Sequence, residues 1–505
     1  ENRLNKQYRD PGFFVRGLDV LTEDNRAEEV LWSYEDLKVN EDMLNSMLRD
    51  IIVLMRDKNQ PVVDVFLPEQ DITDGFLVVL VDRARLERII VNGNEYNTEE
   101  YYQDQINLDR GGYIWSDVLS RDLRWINSNP YQQADVIFKP GTSEGKTDMV
   151  LTVNETDPLV FFGGMDNYGP STTNQNQFFL GFDYGDLWGL DHQFTYTFGS
   201  SFDIANYQSH TASYVIPFDW RHKLSLTGTW STSEPKSSSP LIDLEGNNYL
   251  ANIDYEIPLY DWGFRGFSQE MSLGADYKRL ENNIDFGGTQ VFSSEPEIVQ
   301  FYTRYEATRA SAKTLDVFTI KFVASPGDIA GNNTDEEFIT VGSNLRSKYA
   351  YVNASYDTKY TFDNGFNIRG LFRAQHSLEN LLSSEQIAIS GPGAVRGFNT
   401  NNIRRDAGFI STVELATPYT SLVTDFTGVP VRDRVQAFIF ADKGYGMNVH
   451  DSGKGSAIDL DSIGIGARIG IGRYFTGVVE YGHEIEDELE DGYDQRLHFR
   501  VNASY

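Results

Sequence analysis

The chain has 505 residues, and its 75 Asp and Glu outnumber its 43 Lys and Arg, which gives a formal net charge of −32. A chain this acidic is a poor nucleic-acid binder, because such proteins need a basic surface to neutralise phosphates. It contains no Cys, which excludes disulfide scaffolds, thiolate zinc sites and cysteine nucleophiles. No stretch reaches the roughly 18 uncharged apolar residues of a spanning helix, so a membrane role would need a β-barrel or a surface anchor.

The start of the chain carries no targeting signal that can be read directly. It begins at Glu1 without an initiator Met or an apolar segment, so we expect that any signal peptide has been removed. We expect more than one domain, since single hydrophobic cores rarely exceed about 250–300 residues. The pattern of apolar residues changes near residue 157, and we place a domain boundary there.

Residues 1–157 mix helical and strand patterns. Apolar residues at three- and four-residue spacing predict an amphipathic helix over 41–59, followed by short strands at 61–67 and 74–82. The same order then recurs as a strand, two helices and two strands, at 86–91, 98–105, 115–127, 135–139 and 147–154. We therefore predict an N-terminal extension and two β-α-α-β-β modules, over residues 1–12, 13–83 and 84–157.

From residue 158 to residue 505, apolar and polar residues alternate, which is the period of β-strands. Phe194, Tyr196 and Phe198, for example, are separated by polar residues. No helical spacing is evident in this region. We predict an all-β barrel over 158–505 with about 16 antiparallel strands, at 159–168, 176–186, 190–200, 206–217, 222–233, 247–258, 266–280, 297–308, 313–323, 346–361, 365–376, 406–416, 433–446, 458–471, 475–486 and 496–505.

The predicted connections alternate between long and short, with the segment 417–432 as an exception. Outer-membrane barrels have short periplasmic turns and long external loops, so the alternation favours a transmembrane barrel. A soluble β-sandwich or propeller would show the same strand period. Aromatic strand ends and an alternating C-terminal strand argue against that alternative, and we assign a C-terminal barrel signal to Leu497, Phe499, Val501 and Tyr505.

Several apparent active-site motifs have simpler explanations. Residues 141–147 resemble a phosphate-binding loop, but only three residues separate the glycines and a strand follows, so we expect a hairpin turn. None of the seven His forms a pair at the spacing that would place two metal ligands on one helical face. We assign no catalytic residue, metal or cofactor.

Two short segments form the candidate functional site. The longest connection, 377–405, contains Val395, Arg396, Gly397 and Phe398, and the strand predicted over 433–446 contains Phe440, Asp442 and Gly444. These segments resemble the loop-6 VRG(F/Y) motif and the (F/G)xDxG strand motif of the Omp85 superfamily. The predicted strand order places them after the eleventh strand and on the thirteenth, where that superfamily carries them.

The N-terminal modules resemble POTRA domains, and residues 67–81 are similar to the first POTRA domain of ShlB/FhaC-type proteins. Two POTRA modules and a 16-stranded barrel resemble the TpsB transporters of two-partner secretion. This resemblance implies a bacterial outer-membrane pore whose periplasmic POTRA domains recognise an unfolded, TpsA-like exoprotein. It also implies export to the cell surface without ATP, outer-membrane lipid around the barrel, no enzymatic activity and a monomeric state.

Physical chemistry gives the two motifs a role that does not depend on the family name. An Arg that a folded-in loop carries into the lumen would be unpaired unless a carboxylate met it, so we predict an ion pair between Arg396 and Asp442. We further expect that Gly397 and Gly444 allow the backbones of the loop and the wall to approach closely. We expect Phe398 and Phe440 to pack beside the ion pair.

Two other functions share part of this pattern. An Omp85-type factor that inserts barrels into the membrane would also carry the Arg–Asp pair and POTRA domains, but two modules and a ShlB-like first module favour secretion. A passive porin needs neither feature. One departure stands out, because a plug helix of about 20 residues, which such transporters can carry, does not fit within residues 1–12.

Overall fold

The computed structural model describes residues 12–16, 26–73, 75–237, 239, 241–260, 262, 266–400, 403–422, 432–450, 456–485 and 495–505. It divides into two compact units, Glu1–Asp157 and Pro158–Tyr505. The predicted extension over 1–12 lies outside the described residues, apart from Gly12. Within them, every helix is too short or too polar to cross a membrane.

The first unit consists of two modules with the same order of elements. The first contains β1 (Gly12–Arg16), α1 (Arg26–Trp32), α2 (Glu41–Asp57), β2 (Val63–Phe66) and β3 (Phe76–Arg83). The second contains β4 (Arg85–Asn92), α3 (Glu99–Asp104), α4 (Ser116–Ile126), β5 (Gln132–Pro140) and β6 (Lys146–Glu155). In each sheet the last strand is central, parallel to the first strand and antiparallel to the second. The structure thus contains the β-α-α-β-β repeat expected from the sequence.

Helix α2 illustrates how the local sequence builds these modules. The side chain of Asn40 caps the helix by accepting a hydrogen bond of 2.8 Å from the backbone amide of Met43. Two acidic residues in the first turn, Glu41 and Asp42, complement the helix dipole. The buried face packs against the sheet and forms the module's core with Val65 and Val79, through Met47, Ile51, Leu54 and Met55.

Glu155, the last residue of β6, holds the second module together. Its buried carboxylate accepts hydrogen bonds from backbone amides and side chains of four residues, Glu95, Tyr96, Asn97 and Tyr102. Burial alone would raise the pKa of Glu155, but these hydrogen bonds outweigh it and lower the pKa below its ordinary value. The carboxylate therefore ties the connection after β4 to the end of the central strand.

The segment 141–147 contains the turn between β5 and β6, at 141–145, and the first two residues of β6. The carboxylate of Glu87 on β4 occupies it and accepts hydrogen bonds from the backbone amides and hydroxyl groups of Thr142 and Ser143. These bonds, above all that from the Thr142 hydroxyl, lower the pKa of Glu87 to about 2. The turn thus binds an anion that the protein itself supplies.

We expect Glu155→Gln to destabilise the first unit by about 2–4 kcal/mol at neutral pH, since it weakens several buried charged hydrogen bonds. Because the folded pKa is lowered, the stabilisation is present above the unfolded pKa of about 4.3 and is lost as the pH falls through the folded pKa. Urea unfolding of residues 1–157 across this pH range measures the difference. The exposed residue Glu144 provides the control variant Glu144→Gln, and an equal loss in both variants would contradict the assignment.

The second unit is a closed barrel of sixteen antiparallel strands, which confirms the predicted fold class. The strands are β7 (Leu159–Asp166), β8 (Gln177–Leu187), β9 (His192–Ser201), β10 (Tyr207–Pro217), β11 (Lys223–Ser233), β12 (Ile242–Pro258), β13 (Ser268–Phe286), β15 (Glu297–Ala310), β16 (Thr314–Pro326), β17 (Lys348–Thr361), β18 (Asn367–Ser377), β21 (Ala407–Ala416), β22 (Asp433–Met447), β23 (Ala457–Ile471), β24 (Phe475–Glu484) and β25 (Gln495–Ser504). Consecutive strands pair, and β25 closes the barrel on β7.

The remaining elements lie in the long connections: β14 (Thr289–Ser294), α5 (Asp335–Val341), β19 (Ile387–Ala388) and β20 (Arg404–Arg405). The expectation that this region contains no helix is wrong, because α5 is present. Its two turns are too short to produce a visible helical period, although Thr334 caps it by accepting a hydrogen bond from the amide of Glu337.

Strands β12 and β13 are longer than predicted, and β14 pairs with the added end of β13. The added residues are 242–246 and 281–286, and those of β13 begin with three consecutive polar residues, Glu281, Asn282 and Asn283. Strand prediction from alternation fails there, because a sheet that meets water on both faces does not need an apolar side.

Aromatic side chains surround the end of the barrel that carries the short turns. The exposed aromatic residues in or beside these turns include Trp188, Trp220, Trp262, Phe362, Tyr474 and Tyr505. Aromatic residues of this kind mark the membrane–water interface in outer-membrane barrels. The short-turn end therefore has the composition of a membrane boundary.

Candidate functional site

Loop 6, residues 378–406, connects β18 to β21 and is shaped by a tight turn. Gly391 and Gly393 have φ angles of +97° and +77°, a region in which other residues are strained. The amide of Gly391 donates a hydrogen bond of 2.9 Å to the carbonyl of Val395, and the amide of Ala394 donates one to the carbonyl of Gly391. The turn therefore presents the segment that begins at Val395 to the barrel wall.

Arg396 binds Asp442 of β22 through one edge of its guanidinium group, formed by Nε and Nη2. Its Nε lies 2.8 Å from Asp442 Oδ2, and its Nη2 lies 2.7 Å from Asp442 Oδ1. The backbone amide of Arg396 donates a third hydrogen bond, of 3.1 Å, to Oδ2. The structure thus brings the predicted pair together in a bidentate arrangement that fixes orientation as well as charge.

Two further carboxylates complete the site. Arg396 Nη1 lies 2.7 Å from Glu414 Oε1 of β21 and 2.7 Å from Glu480 Oε1 of β24. The guanidinium carbon lies 3.4 Å from the centre of the Phe440 ring, a cation–π contact. Arg396 therefore contacts three carboxylates and one aromatic face.

The site lies on the inner face of the barrel. Asp442, Glu414 and Glu480 are buried, and the opposite face of the same strands carries exposed apolar residues, which include Ile439, Ala441, Val413, Leu415, Val479 and Tyr481. Successive side chains of a strand point to opposite faces, so the apolar residues face lipid and the carboxylates face the lumen. Loop 6 consequently enters the lumen.

Neighbouring side chains hold the carboxylates in place. The hydroxyl of Thr412 donates a hydrogen bond of 2.9 Å to Asp442 Oδ1, and Arg468 forms an ion pair with Glu414. His498 Nε2 lies 2.9 Å from the backbone carbonyl oxygen of Arg396. Two guanidinium groups thus face three carboxylates, and removal of Arg396 would leave buried negative charge uncompensated, at a cost of about 3–5 kcal/mol.

Glycines permit the close approach of loop and wall. A Cβ atom at Gly444 would lie 2.7 Å from a methyl group of Val395, and one at Gly397 would lie 3.0 Å from side-chain atoms of Ser462 and Glu484. An equally close approach, this time to backbone atoms, is at Gly482 of β24, where a Cβ would lie 2.7 Å from the backbone carbon and oxygen of Arg396. Backbone atoms cannot easily give way, so Gly482 is a contact residue that the motif search missed.

Phe398 has a different environment from Phe440. Phe440 lies against the guanidinium group, whereas Phe398 is 1% exposed within an apolar cluster. The other buried members are Ile389, Ala394, Val395, Ile403, Ile410 and Leu460. The loop therefore combines an ionic contact with an apolar one against the same arc of the wall.

The predicted C-terminal signal lies on β25, away from these contacts. Its residues alternate along the strand with the inward-facing His498, and they are Leu497, Phe499, Val501 and Tyr505. Tyr505 is 88% exposed, and its backbone exchanges two hydrogen bonds of 2.8 and 2.9 Å with that of Phe161. These four residues thus lie in or directly after the strand that closes the barrel, and the same strand contacts the backbone of Arg396 through His498.

The geometry suits a reversible contact. In the part of the chain that the structure describes, no group of three or more His, Asp or Glu side chains is placed to hold a metal ion. The three carboxylates converge on a guanidinium group instead. Ion pairs of this kind can be exchanged for contacts with water, so the arrangement can hold loop 6 against the wall and also release it.

The family model of the haemolysin secretion/activation proteins ShlB/FhaC/HecB matches residues 145–469. The chain belongs to this family. The outer membrane transporter CdiB of Dickeya dadantii (strain 3937) is 21% identical over 364 residues, which cover 71% of this chain. The match spans 63% of that relative's own length, less than two thirds of it.

Solved structures agree with this fold. CdiB from Escherichia coli is similar with a TM-score of 0.80 at 17% identity, covering 98% of this chain and 90% of that one. BamA from Haemophilus ducreyi lacking POTRA domains 1-3 has a TM-score of 0.56 at 12% identity, covering 98% and 99%. The predicted membership of the TpsB-type Omp85 proteins is therefore confirmed, and the protein is located in the outer membrane.

Sequence reasoning found Arg396 and Asp442 but missed Glu414 and Glu480. Each of these is an acidic residue at an inward-facing position between apolar residues of a strand. Such a position is a signal that could have found them, since a charge there must have a partner. Their convergence on one guanidinium group depends on strand order around the barrel.

We expect Gly482→Ala to displace loop 6 from the wall, because the new methyl group would collide with the backbone of Arg396 at a cost of about 1–3 kcal/mol. Arg396 is only 4% exposed, so trypsin should cleave after it in the variant and not in the wild type. Mass spectrometry of the fragments identifies the cut. Gly228 has no atom within 4 Å of a built Cβ and provides the control Gly228→Ala. Identical fragments from all three folded proteins would contradict this contact.

Proposed function

We propose that this protein is a secretion pore that recognises an unfolded partner exoprotein and moves it across the outer membrane without ATP. The observation that carries the proposal is the Arg396 site, an ionic contact that holds a loop inside a closed barrel. A passive channel has no need of such a contact. The family consists of secretion and activation proteins, and the proposal includes no catalytic step.

We assign recognition of the client to the two N-terminal modules, residues 13–83 and 84–157, as POTRA domains in the periplasm. In the second module, β5 forms an edge of its sheet and its Ile137 is 52% exposed. An edge strand offers unpaired backbone groups to an extended chain, which can add to the sheet as a further strand. Main-chain pairing of this kind suits an unfolded client, since it depends little on sequence.

The lumen offers a polar path for such a client. Strands β10 and β11 carry facing hydroxyl side chains, with Thr211 and Thr229 3.1 Å apart and Ser213 and Thr227 3.1 Å apart. Thr227 is in register with Asn252 of β12, whose side chain donates a hydrogen bond to Asp276 of β13. Short uncharged side chains can exchange hydrogen bonds with a passing backbone without retaining it.

The direction of transport can come from folding of the client at the cell surface. The periplasm has no ATP, so the free energy must come from binding on one side and folding on the other. A client that folds at the cell surface cannot re-enter the barrel, which makes each advance irreversible. Breaking of the contacts between Arg396 of loop 6 and the barrel wall would then regulate access to the lumen.

Insertion of other barrels into the membrane is the second candidate function. The similarity to BamA, at a TM-score of 0.56, reflects a shared barrel fold and is compatible with it. The match of residues 145–469 to secretion proteins favours export. Comparison of secreted proteins with and without this protein separates the two, because loss of one large polypeptide supports export and a general loss of outer-membrane barrels supports insertion.

We expect Arg396→Ala to preserve a folded, heat-modifiable barrel but to reduce export by at least about tenfold, because loop 6 loses an anchor and the carboxylates lose their counter-charge. Quantification of the client in the medium measures this. Arg434, exposed on the same strand as Asp442, provides the matched control Arg434→Ala. Normal export by Arg396→Ala would remove the proposed role of the site.

We expect deletion of residues 1–157 to leave membrane insertion of the barrel intact, since the second unit contains its own closed sheet. Specific binding of the client should be lost with the edge strands. Pull-down of the client by purified full-length protein and by the barrel alone makes the comparison. Equal binding by both would contradict the assignment of recognition to the modules.

A further inference from the structure

Loop 6 touches the barrel wall at a second place, before it reaches the Arg396 site. The first part of the loop contains Glu385, which is 5% exposed although it is charged. Its carboxylate contacts strands β13, β15 and β17, whereas Arg396 contacts β21, β22 and β24. The loop is therefore in contact with two different arcs of the wall.

Four side chains donate hydrogen bonds to the carboxylate of Glu385. The distances are 2.6 Å from Lys278 Nζ, 3.0 Å from Gln300 Nε2, 3.0 Å from the Tyr351 hydroxyl and 2.9 Å from the Ser384 hydroxyl. A buried carboxylate is tolerated only when it is paired and hydrogen-bonded, and these contacts provide both. The side chains of Lys278 and Glu385 are 15% and 1% exposed.

The wall around Glu385 is itself organised. The hydroxyl of Tyr349 donates a hydrogen bond of 2.8 Å to Gln300 Oε1, which orients the Gln300 amide so that its Nε2 faces Glu385 and Asp276. Gln375 of β18 donates a hydrogen bond of 2.9 Å to the backbone carbonyl of Glu385. Donors are thus positioned for both the side chain and the main chain of this residue.

Apolar contacts secure the same part of the loop. Leu381 and Leu382 are 1% and 3% exposed, and they pack in one cluster with Phe338 of α5. The remaining buried members come from the wall: Ile298, Tyr302, Val323, Tyr349 and Tyr351. Helix α5 therefore covers the loop on one side while the wall supports it on the other.

The two contact regions have opposite arrangements of charge between the loop and the wall. At Arg396 the loop supplies the cation and the wall supplies carboxylates, whereas at Glu385 the loop supplies the carboxylate and the wall supplies the cation. The hydrogen bonds at the two places share no side chain. Each contact can therefore break without breaking the other.

We propose that Glu385 is a positioning residue that forms a second, independent anchor of loop 6 with Lys278 and Gln300. Loss of the Arg396 contacts then frees only the tip of the loop, and the loop leaves the lumen only when both anchors are broken. The anchor is a property of the barrel, and only its part in transport rests on the proposed secretion function.

Hydrogen exchange measured by mass spectrometry on the full chain in detergent or nanodiscs tests this directly. In Glu385→Gln, we expect amides of residues 378–390 to exchange about tenfold faster, while those of 391–400 keep their protection. Arg396→Ala should have the opposite pattern. The double variant should lose protection in both segments, and its conductance in planar bilayers should exceed the sum of the increases in the single variants.

Two further variants complete the test. Glu379→Gln makes the same substitution earlier in the same loop, where the side chain is 34% exposed beside His450, and should leave exchange unchanged. Lys278→Met removes the cation from the wall and should reproduce the effect of Glu385→Gln, which covers the case in which one variant fails to give a heat-modifiable barrel.

The proposal is overturned if both Glu385→Gln and Lys278→Met exchange as slowly as Glu379→Gln over 378–390. It is also overturned if Arg396→Ala alone frees both segments, because the anchors would then act as one. Neither result depends on export. Absence of a client in the medium of wild-type cells would contradict the secretion proposal and leave the second anchor standing.

Discussion

A guanidinium group inside the barrel has to be compensated, and the rest of the site follows from that constraint. Arg396 is 4% exposed, and it is stabilised by Asp442, Glu414 and Glu480. Each carboxylate comes from a different strand, so the loop can occupy this position only when strands β21 to β24 have paired in the correct order. Correct pairing of these strands and correct seating of the loop are therefore physically coupled.

The contact between Arg396 and Asp442 also requires small residues around it. The bidentate geometry draws the loop backbone onto the wall, and Gly482 lies where any side chain would collide with Arg396. Gly391 and Gly393 provide the backbone angles of the turn that delivers the segment. The ion pair and the glycines thus depend on each other, because the ion pair requires the close backbone approach that the glycines permit.

A loop with two oppositely charged contacts differs from a rigid plug. An apolar plug would expose its surface to water on release, whereas ionic groups can be hydrated once they separate. Apolar clusters around Phe398 and around Leu381 add stability to the seated loop. The combination therefore stabilises the seated loop through contacts whose ionic part can separate without exposing apolar surface.

The sequence alone determined the strand count and the repeat in the first unit, because alternation and spacing are local signals. The Arg396–Asp442 pair was predicted because the segments around these residues resemble the two Omp85 motifs. Two features were not predicted from the sequence: helix α5, which is too short to show a helical period, and the extension of β12 and β13 beyond their predicted ends. Glu414, Glu480 and Glu385 acquire their partners from strands far away in the chain. Only the tertiary structure could decide those contacts, since side chains on separate strands meet through barrel closure and strand register, which no local pattern encodes.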